Sequence, residues 1–211
     1  LKPKTFGRAE YVEQGFRLSA AHEPNYDKKL TVESIDNHIY FYADVDSDRA
    51  LALIREIKML DSALRTEHLS RELPEGYPQA PIWLHIYSSG GDAFAAFNIA
   101  DQIKGIKTPL FSIIEGYCAS AGTLISMACA RRYIRPRSFM LIHQISSMLW
   151  GNFEQLQDEM KLQTMAMEAI INFYKEHSKL QEDQIVTLLK RDSWFNATEA
   201  VSLGLVDEIL V

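Results

Sequence analysis

Two passages decide the fold. The first is Ile82-Trp83-Leu84-His85-Ile86-Tyr87-Ser88-Ser89-Gly90-Gly91-Asp92; the second is Thr108-Pro109-Leu110-Phe111-Ser112-Ile113-Ile114-Glu115-Gly116-Tyr117-Cys118-Ala119-Ser120-Ala121-Gly122. In each, an apolar run of strand length ends in small residues, and a helical pattern follows. Asp92 caps a helix reaching about Lys104, and a small-residue helix spans Ala119 to Ala130 after the strand Thr108 to Ile114. Strands alternating with helices predict an α/β domain with largely parallel pairing.

Working outward, Asn37 to Tyr42 reads as a strand. Ser47-Asp48 offers a cap for a helix with Leu51, Ile54, Ile57, Leu60 and Leu64 at steps of three and four. Thr66 to Pro81 holds Pro74, Gly76, Pro78 and Pro81 and reads as a long surface loop. Downstream lie a strand over Phe139 to His143 and a long helix over about Phe153 to Glu176, with Leu156, Met160, Met167, Ile170, Ile171 and Tyr174 on one face. A shorter helix covers Glu182 to Lys190. Asn196 to Glu199 is a capping box for a helix that stops at Gly204, and Leu205 to Leu210 closes as a strand. Residues 1–36 show no sustained period and read as an N-terminal arm; residues 37–211 form one domain. No internal repeat is visible.

The chain has 211 residues, 47% of them hydrophobic, with 22 Lys+Arg against 28 Asp+Glu for a net charge of −6. That composition is globular and argues against a general nucleic-acid binder, which needs clustered Lys and Arg. Cys118 and Cys129 are the only cysteines; they make no disulfide framework and fit a reducing, cytoplasmic compartment. No two of the six histidines have the helical spacing of a zinc motif, so no metal is expected. Pro109 to Ala130 is long enough to span a bilayer, but Glu115, Gly116, Ser120 and Gly122 interrupt it. A buried strand, turn and helix explain it better than a membrane segment. The opening Leu1-Lys2-Pro3-Lys4-Thr5-Phe6-Gly7 lacks the apolar core of a signal peptide, and Leu rather than Met at position 1 leaves room for residues before it. Asn196-Ala197-Thr198 matches a glycosylation acceptor, but Glu199 three residues on favours the helix cap.

Two turns could carry chemistry. In Ser88-Ser89-Gly90-Gly91-Asp92, paired glycines at a helix start free backbone N–H groups to face an anion or oxyanion; an ordinary strand-to-helix turn is the plainer reading. In Cys118-Ala119-Ser120-Ala121-Gly122, a serine at a helix start has small neighbours, as in a nucleophile elbow, although Gly-x-Ser-x-Gly is not met; a packing role is the plainer reading. Such a serine needs a base oriented by a third group. His143 at the end of an apolar strand is the histidine placed like a base, and Asp192 precedes aromatic residues that could shield it. A structural histidine and a solvated acid are their plainer readings. Cys118 is a rival nucleophile, though a cysteine among apolar neighbours is usually inert packing.

Taken together, four segments resemble the proteolytic subunit family of the Clp proteases, ClpP. Ile86-Tyr87-Ser88-Ser89-Gly90-Gly91 is similar to that family's Ile-Asn-Ser-Pro-Gly-Gly turn. Gly116-Tyr117-Cys118-Ala119-Ser120-Ala121 resembles its Gly-Gln-Ala-Ala-Ser-Met turn, and Met140-Leu141-Ile142-His143-Gln144 its Met-Ile-His-Gln. Arg191-Asp192, with the run from Phe195 to Asp207, resembles its Arg-Asp segment and C-terminal Ala-x-Glu-Ala-x-x-x-Gly-Leu-Val-Asp. The resemblance implies a crotonase-like α/β fold of repeated β-β-α units with a long handle helix. It implies Ser120 as nucleophile, His143 as base and then acid, Asp192 orienting His143, and Gly91 and Ala121 N–H groups as the oxyanion hole. It also implies stacked seven-membered rings enclosing a chamber, Arg191 as an inter-ring contact, an AAA+ unfoldase partner, peptide or unfolded-protein substrates, and no cofactor. Departures occur at Ile145 to Gly151, where the family has Pro and a Gly-rich stretch, and at Tyr117 and Cys118, which replace smaller or polar residues. The loop from Thr66 to Pro81 is longer than usual, and the N-terminal segment lacks the family's apolar gate sequence. A non-catalytic ring subunit of the same family and a crotonase-type acyl-CoA enzyme are the rival functions.

Overall fold

A computed structural model of the chain describes residues 32–71 and 77–211. Its centre is an eight-stranded sheet. Strand β1 (Val32–Ile35) turns through Asp36 and Asn37 into β2 (His38–Tyr42), pairing antiparallel with Ile35 opposite His38. Asp36 takes the positive φ of 54° that a two-residue hairpin turn requires. The helix α1 (Ser47–Ser70) then leads to β3 (Ile82–Ser88), α2 (Ala93–Gly105) to β4 (Leu110–Ala119), and α3 (Ala121–Met127) to β5 (Arg131–Ile134). These strands pair in parallel in chain order from β2 to β5, the arrangement that helical crossovers produce.

The remaining elements are β6 (Phe139–Ile142), α4 (Phe153–His177), α5 (Glu182–Leu189), β7 (Ser193–Asn196), α6 (Ala197–Ser202) and β8 (Glu208–Ile209). β8 extends the sheet beyond β5, whereas β6 lies parallel to the last residues of β4 and antiparallel to β7. Thus β4 pairs with β5 through Phe111–Ile114 and with β6 through Tyr117–Ala119. This fork carries the end of β4 toward the chemistry. One contiguous core joins Ile39 and Phe41, Ile82, Leu84 and Ile86, and Ile114 to Leu53, Ile57 and Ile99 of the helices. Each such fully buried side chain contributes roughly 1.5–3 kcal/mol.

Several expectations shift. Residues 1–31 of the segment read as an arm lie outside the described residues, and Val32–Ile35 at its end is a sheet strand. α1 continues to Ser70, into the stretch read as a loop, because no breaker precedes Pro74; residues 72–76 of that loop lie outside the described residues. The strand expected over Thr108 to Ile114 runs on to Ala119, since β6 supplies hydrogen-bond partners from 22 residues downstream, leaving α3 to start at Ala121. The closing strand shrinks to Glu208–Ile209, because Leu205 and Val206 are turned into the core. Of the expected apolar face of α4 only Ile170 and Tyr174 are buried, joined by Ala166 and Phe173 from outside that set, while Met160 is 56% exposed. The expected capping box at Asn196–Glu199 forms, and a second, at Asn152 and Gln155, opens α4, each with reciprocal side-chain and backbone bonds.

Candidate active site

Sheet pairing gathers the candidate residues. Ala119 stands opposite Leu141 in the parallel β4–β6 pair, and the Ser120 N–H donates to the Leu141 carbonyl at 2.9 Å. Ser120 and the residues just past β6 therefore share one end of the sheet. On the other side of β6, Ile142 opposes Ser193 in an antiparallel ladder, so the next step of that register brings His143 beside Asp192. The Gln144 N–H donates to the Leu189 carbonyl at 2.8 Å and ties this strand end to α5.

The resulting geometry is a chain of polar atoms. His143 Nε2 lies 2.8 Å from Ser120 Oγ, and His143 Nδ1 lies 3.4 Å from Asp192 Oδ1. The first distance is that of a good hydrogen bond; the second is within ion-pair reach but long for an N–H···O bond. The His143 side chain is 26% exposed and that of Asp192 73%, so the acid stands largely in water.

Ser120 sits at φ 52°, ψ −125°, the sharp corner between β4 and α3. Such a backbone for a non-glycine residue costs on the order of 1–3 kcal/mol and persists where surrounding contacts enforce it. Gly90 supplies one of them. A Cβ at this position would lie 2.7 Å from both the Ala119 carbonyl oxygen and Ser120 Cβ, and its φ of 93° suits only glycine. The two turns singled out in the sequence therefore touch, and they do so through the absence of a side chain. Gly91 follows at φ 139°, its Cα pressed against the Val45 backbone through bonds from Val45 N–H to the Gly90 carbonyl and from Asp92 N–H to the Val45 carbonyl. Among the described residues, neither the Gly91 nor the Ala121 N–H has a protein acceptor.

A cleft of about 250 Å³ opens here, lined by Gly91, Ser120, Ala121 and His143 among its polar groups and by Leu124 and Ile170 on its apolar side. Asp92 caps α2 through bonds from the Phe94 and Ala95 N–H groups, as its position after Gly91 suggested. Cys118 is fully buried, and desolvation pushes its thiol far above the ordinary range; Cys129, also buried, is pushed up to about 12. Neither is a thiolate available to a substrate. Arg191 is exposed beside Asp192. The Ile145 to Gly151 stretch has no regular structure, and Met148 and Trp150 stand 97% and 98% exposed.

The comparison with protein families decides the lineage: the Clp protease family model matches residues 33–211. The chain belongs to the Clp protease family. It is 30% identical over 203 residues to ATP-dependent Clp protease proteolytic subunit 2 of Treponema denticola, covering 91% of this chain and 95% of that protein. To the ATP-dependent Clp protease proteolytic subunit of Deinococcus radiodurans it is 26% identical, over 83% of this chain and 80% of the relative. Among solved structures it superimposes on a point mutant of ClpP1 from Listeria monocytogenes with a TM-score of 0.70 at 26% identity, covering 83% of this chain and 91% of that one. The α/β sheet is thus the crotonase-like ClpP fold, in a single domain, as the four segments implied.

Two polar pairs, one at this Clp family site and one away from it, escaped sequence reasoning. Thr123 and Tyr174 meet behind the Ser120 corner, their hydroxyls 2.6 Å apart. His38 and His85 form a second polar chain on the sheet, with His85 Nε2 2.9 Å from His38 Nδ1. The strand alternation of Trp83, His85 and Tyr87 was a signal that these residues share a face, but nothing local paired them with β2. Among the described residues, no three His, Cys, Asp or Glu side chains converge as a metal site, and no helix is long and apolar enough to cross a membrane.

Proposed function

We propose that this Clp-family peptidase cleaves peptide bonds as a serine endopeptidase, with Ser120 as nucleophile, His143 as general base and acid, and Asp192 as the group that orients His143. The observation that carries the reading is the 2.8 Å contact between His143 Nε2 and Ser120 Oγ, at the mouth of a cleft beside two uncommitted amides. His143 takes the hydroxyl proton as Oγ attacks a substrate carbonyl. The tetrahedral oxyanion is met by the Gly91 and Ala121 N–H groups. His143 then protonates the leaving amine, and water repeats the sequence on the acyl-enzyme. General acid–base transfer is worth roughly 10² to 10⁴ in rate, and an oxyanion donor roughly 10² to 10³ more.

The assembly follows the same reading. The chain forms heptameric rings, stacked in pairs, that enclose the sites, and an AAA+ ATPase feeds unfolded polypeptide to them. The exposed apolar side chains Met148, Trp150, Phe153 and Met160 support burial of this region against other subunits, and the exposed Arg191 is the residue this reading assigns to an inter-ring contact. Treating the purified protein with a fluorophosphonate and mapping the adduct tests the chemistry, and mass photometry tests the ring. An adduct on Ser120 is the expected result. An absence of labelling in an assembled ring favours a non-catalytic subunit, and tight acyl-CoA binding favours the crotonase-type alternative. Blockage by iodoacetamide alone would move the nucleophile to Cys118.

A further inference from the structure

We infer that Tyr174 and Thr123 are positioning residues that aim the Ala121 N–H into the cleft by anchoring the peptide plane between Ser120 and Ala121. The inference rests on the proposed role of Ser120. The Ser120 carbonyl accepts two bonds from one residue: from the Thr123 N–H at 2.9 Å and from the Thr123 hydroxyl at 2.6 Å. A carbonyl has no proton to give, so the single Thr123 hydroxyl proton points at it. Tyr174 Oη, 2.6 Å from Thr123 Oγ1, is then the donor of the second bond. The order is fixed: Tyr174 O–H to Thr123 Oγ1, Thr123 O–H to the Ser120 carbonyl.

Both side chains are buried, Thr123 at 0% and Tyr174 at 2% exposure, so water cannot replace either bond. Desolvation also keeps the Tyr174 hydroxyl protonated far above neutral pH. A trans peptide is planar, with its C=O and N–H pointing opposite ways. Holding the Ser120 oxygen from behind therefore fixes the direction of the Ala121 N–H in front, at a corner whose φ of 52° a serine does not adopt unaided. Donors on the carbonyl also polarise the amide and strengthen its N–H as a donor. Thr123 belongs to α3, the helix that Ser120 begins, whereas Tyr174 belongs to α4 and lines the same cleft, so the second link of the chain comes from a separate helix.

The test measures peptide hydrolysis and the rate of fluorophosphonate acylation in Thr123→Val, Thr123→Ser and Tyr174→Phe, with thermal melts as a fold check. Thr123→Val is expected to lower kcat and the acylation rate about tenfold with KM within about twofold, a fraction of the loss expected for deleting an oxyanion donor. Thr123→Ser restores the hydroxyl and is expected near the wild-type rate. Tyr174→Phe keeps the Thr123 bond and is expected to lose roughly two- to fivefold, again in kcat. A lower melting temperature with unchanged kcat in the folded protein would make the pair structural only and overturn the inference. Where Thr123→Val fails to fold, Tyr174→Phe decides: a wild-type acylation rate overturns the inference and a reduced one supports it. Failure of the underlying reading looks different, because the reagent would then miss Ser120 in the wild-type protein.

Discussion

Among the described residues, two histidines stand between a carboxylate and a second polar side chain, and only one of these two faces open space. His143 bridges Ser120 and Asp192 at the cleft. His85 bridges His38 and Glu115 in the middle of the sheet, with Nε2 2.9 Å from His38 Nδ1 and Nδ1 3.2 Å from Glu115 Oε1, off the line of a good hydrogen bond. Glu115 also accepts from the Tyr42 hydroxyl and, at 3.3 Å, from Arg135 Nε, while the Tyr40 ring stacks on His85 at 4.4 Å. Burial lowers the pKa of His85, against the pull of Glu115. Burial also pushes Glu115 up, but the bonds from Tyr42 and Arg135 and the close approach of His85 outweigh it and hold the carboxyl below its usual range. The paired atoms are nearly the same in the two places. What differs is access, a neighbouring serine hydroxyl and free amides, and these separate a cross-strand clamp from the residue proposed as base.

The sharpest way to break the comparison is Ser120→Ala. Peptide turnover is expected to fall by about 10⁴ to 10⁶ with an unchanged melt; turnover near wild type would remove the distinction between the two histidines. Next, Asp192→Asn is expected to cost roughly 10² to 10⁴ in kcat through loss of imidazole orientation. A cost below tenfold would mean that the exposed acid, at 3.4 Å, leaves His143 to be held by the sheet alone. Gly90→Ala tests the contact that brings the amides to Ser120. With 2.7 Å to Ala119 O and a φ of 93°, it should destabilise by about 2–4 kcal/mol. Gly105→Ala, where nothing lies within 4 Å of the added carbon, should change stability by less than about 1 kcal/mol.

The smallest effect on activity belongs to His85→Phe, with kcat expected within about twofold and the change appearing in stability against pH. Because the folded state lowers the pKa of His85, the unfolded chain takes up a proton at this site first as acid is added. The contribution of neutral His85 is therefore complete above the ordinary histidine value of 6.5 and is lost as pH falls from there through the folded value. Glu115, also lowered, gives a second loss at more acid pH, as its own folded value is crossed. His85→Phe should flatten the first loss in denaturant unfolding measured across pH 5 to 8. A shifted kcat–pH profile with unchanged stability would instead place His85 in the chemistry.

Much of this site was legible because its residues sit at local punctuation. His143 ends a strand-like run, and Gly91 and Ser120 sit in turns between such runs and helices, and these places are visible in apolar patterning and turn residues. Asp192 was the least legible locally, an acid beside two cations with only the aromatic residues after it as a signal. β5 hides behind Arg131 and Arg132, and β7 is four residues long with no alternation, so both acquire strand geometry from partners elsewhere in the chain. The Asp36-Asn37 turn was a readable hairpin signal for β1, passed over because the residues before it show no period.

By itself the amino-acid order determined the alternation of strands and helices, the caps at Asp92 and Asn196, and the short set of residues able to do chemistry. Those are local matters, settled by propensity, capping and turn conformation within a few residues. The tertiary structure alone decided that Ser120 and His143, 23 residues apart, stand 2.8 Å from one another, that His85 is clamped while His143 is open, and that the first half of α4 leaves its apolar side chains uncovered. Strand pairing and burial set these outcomes. Both depend on which distant segments share an edge of the sheet, and no window of sequence carries that information.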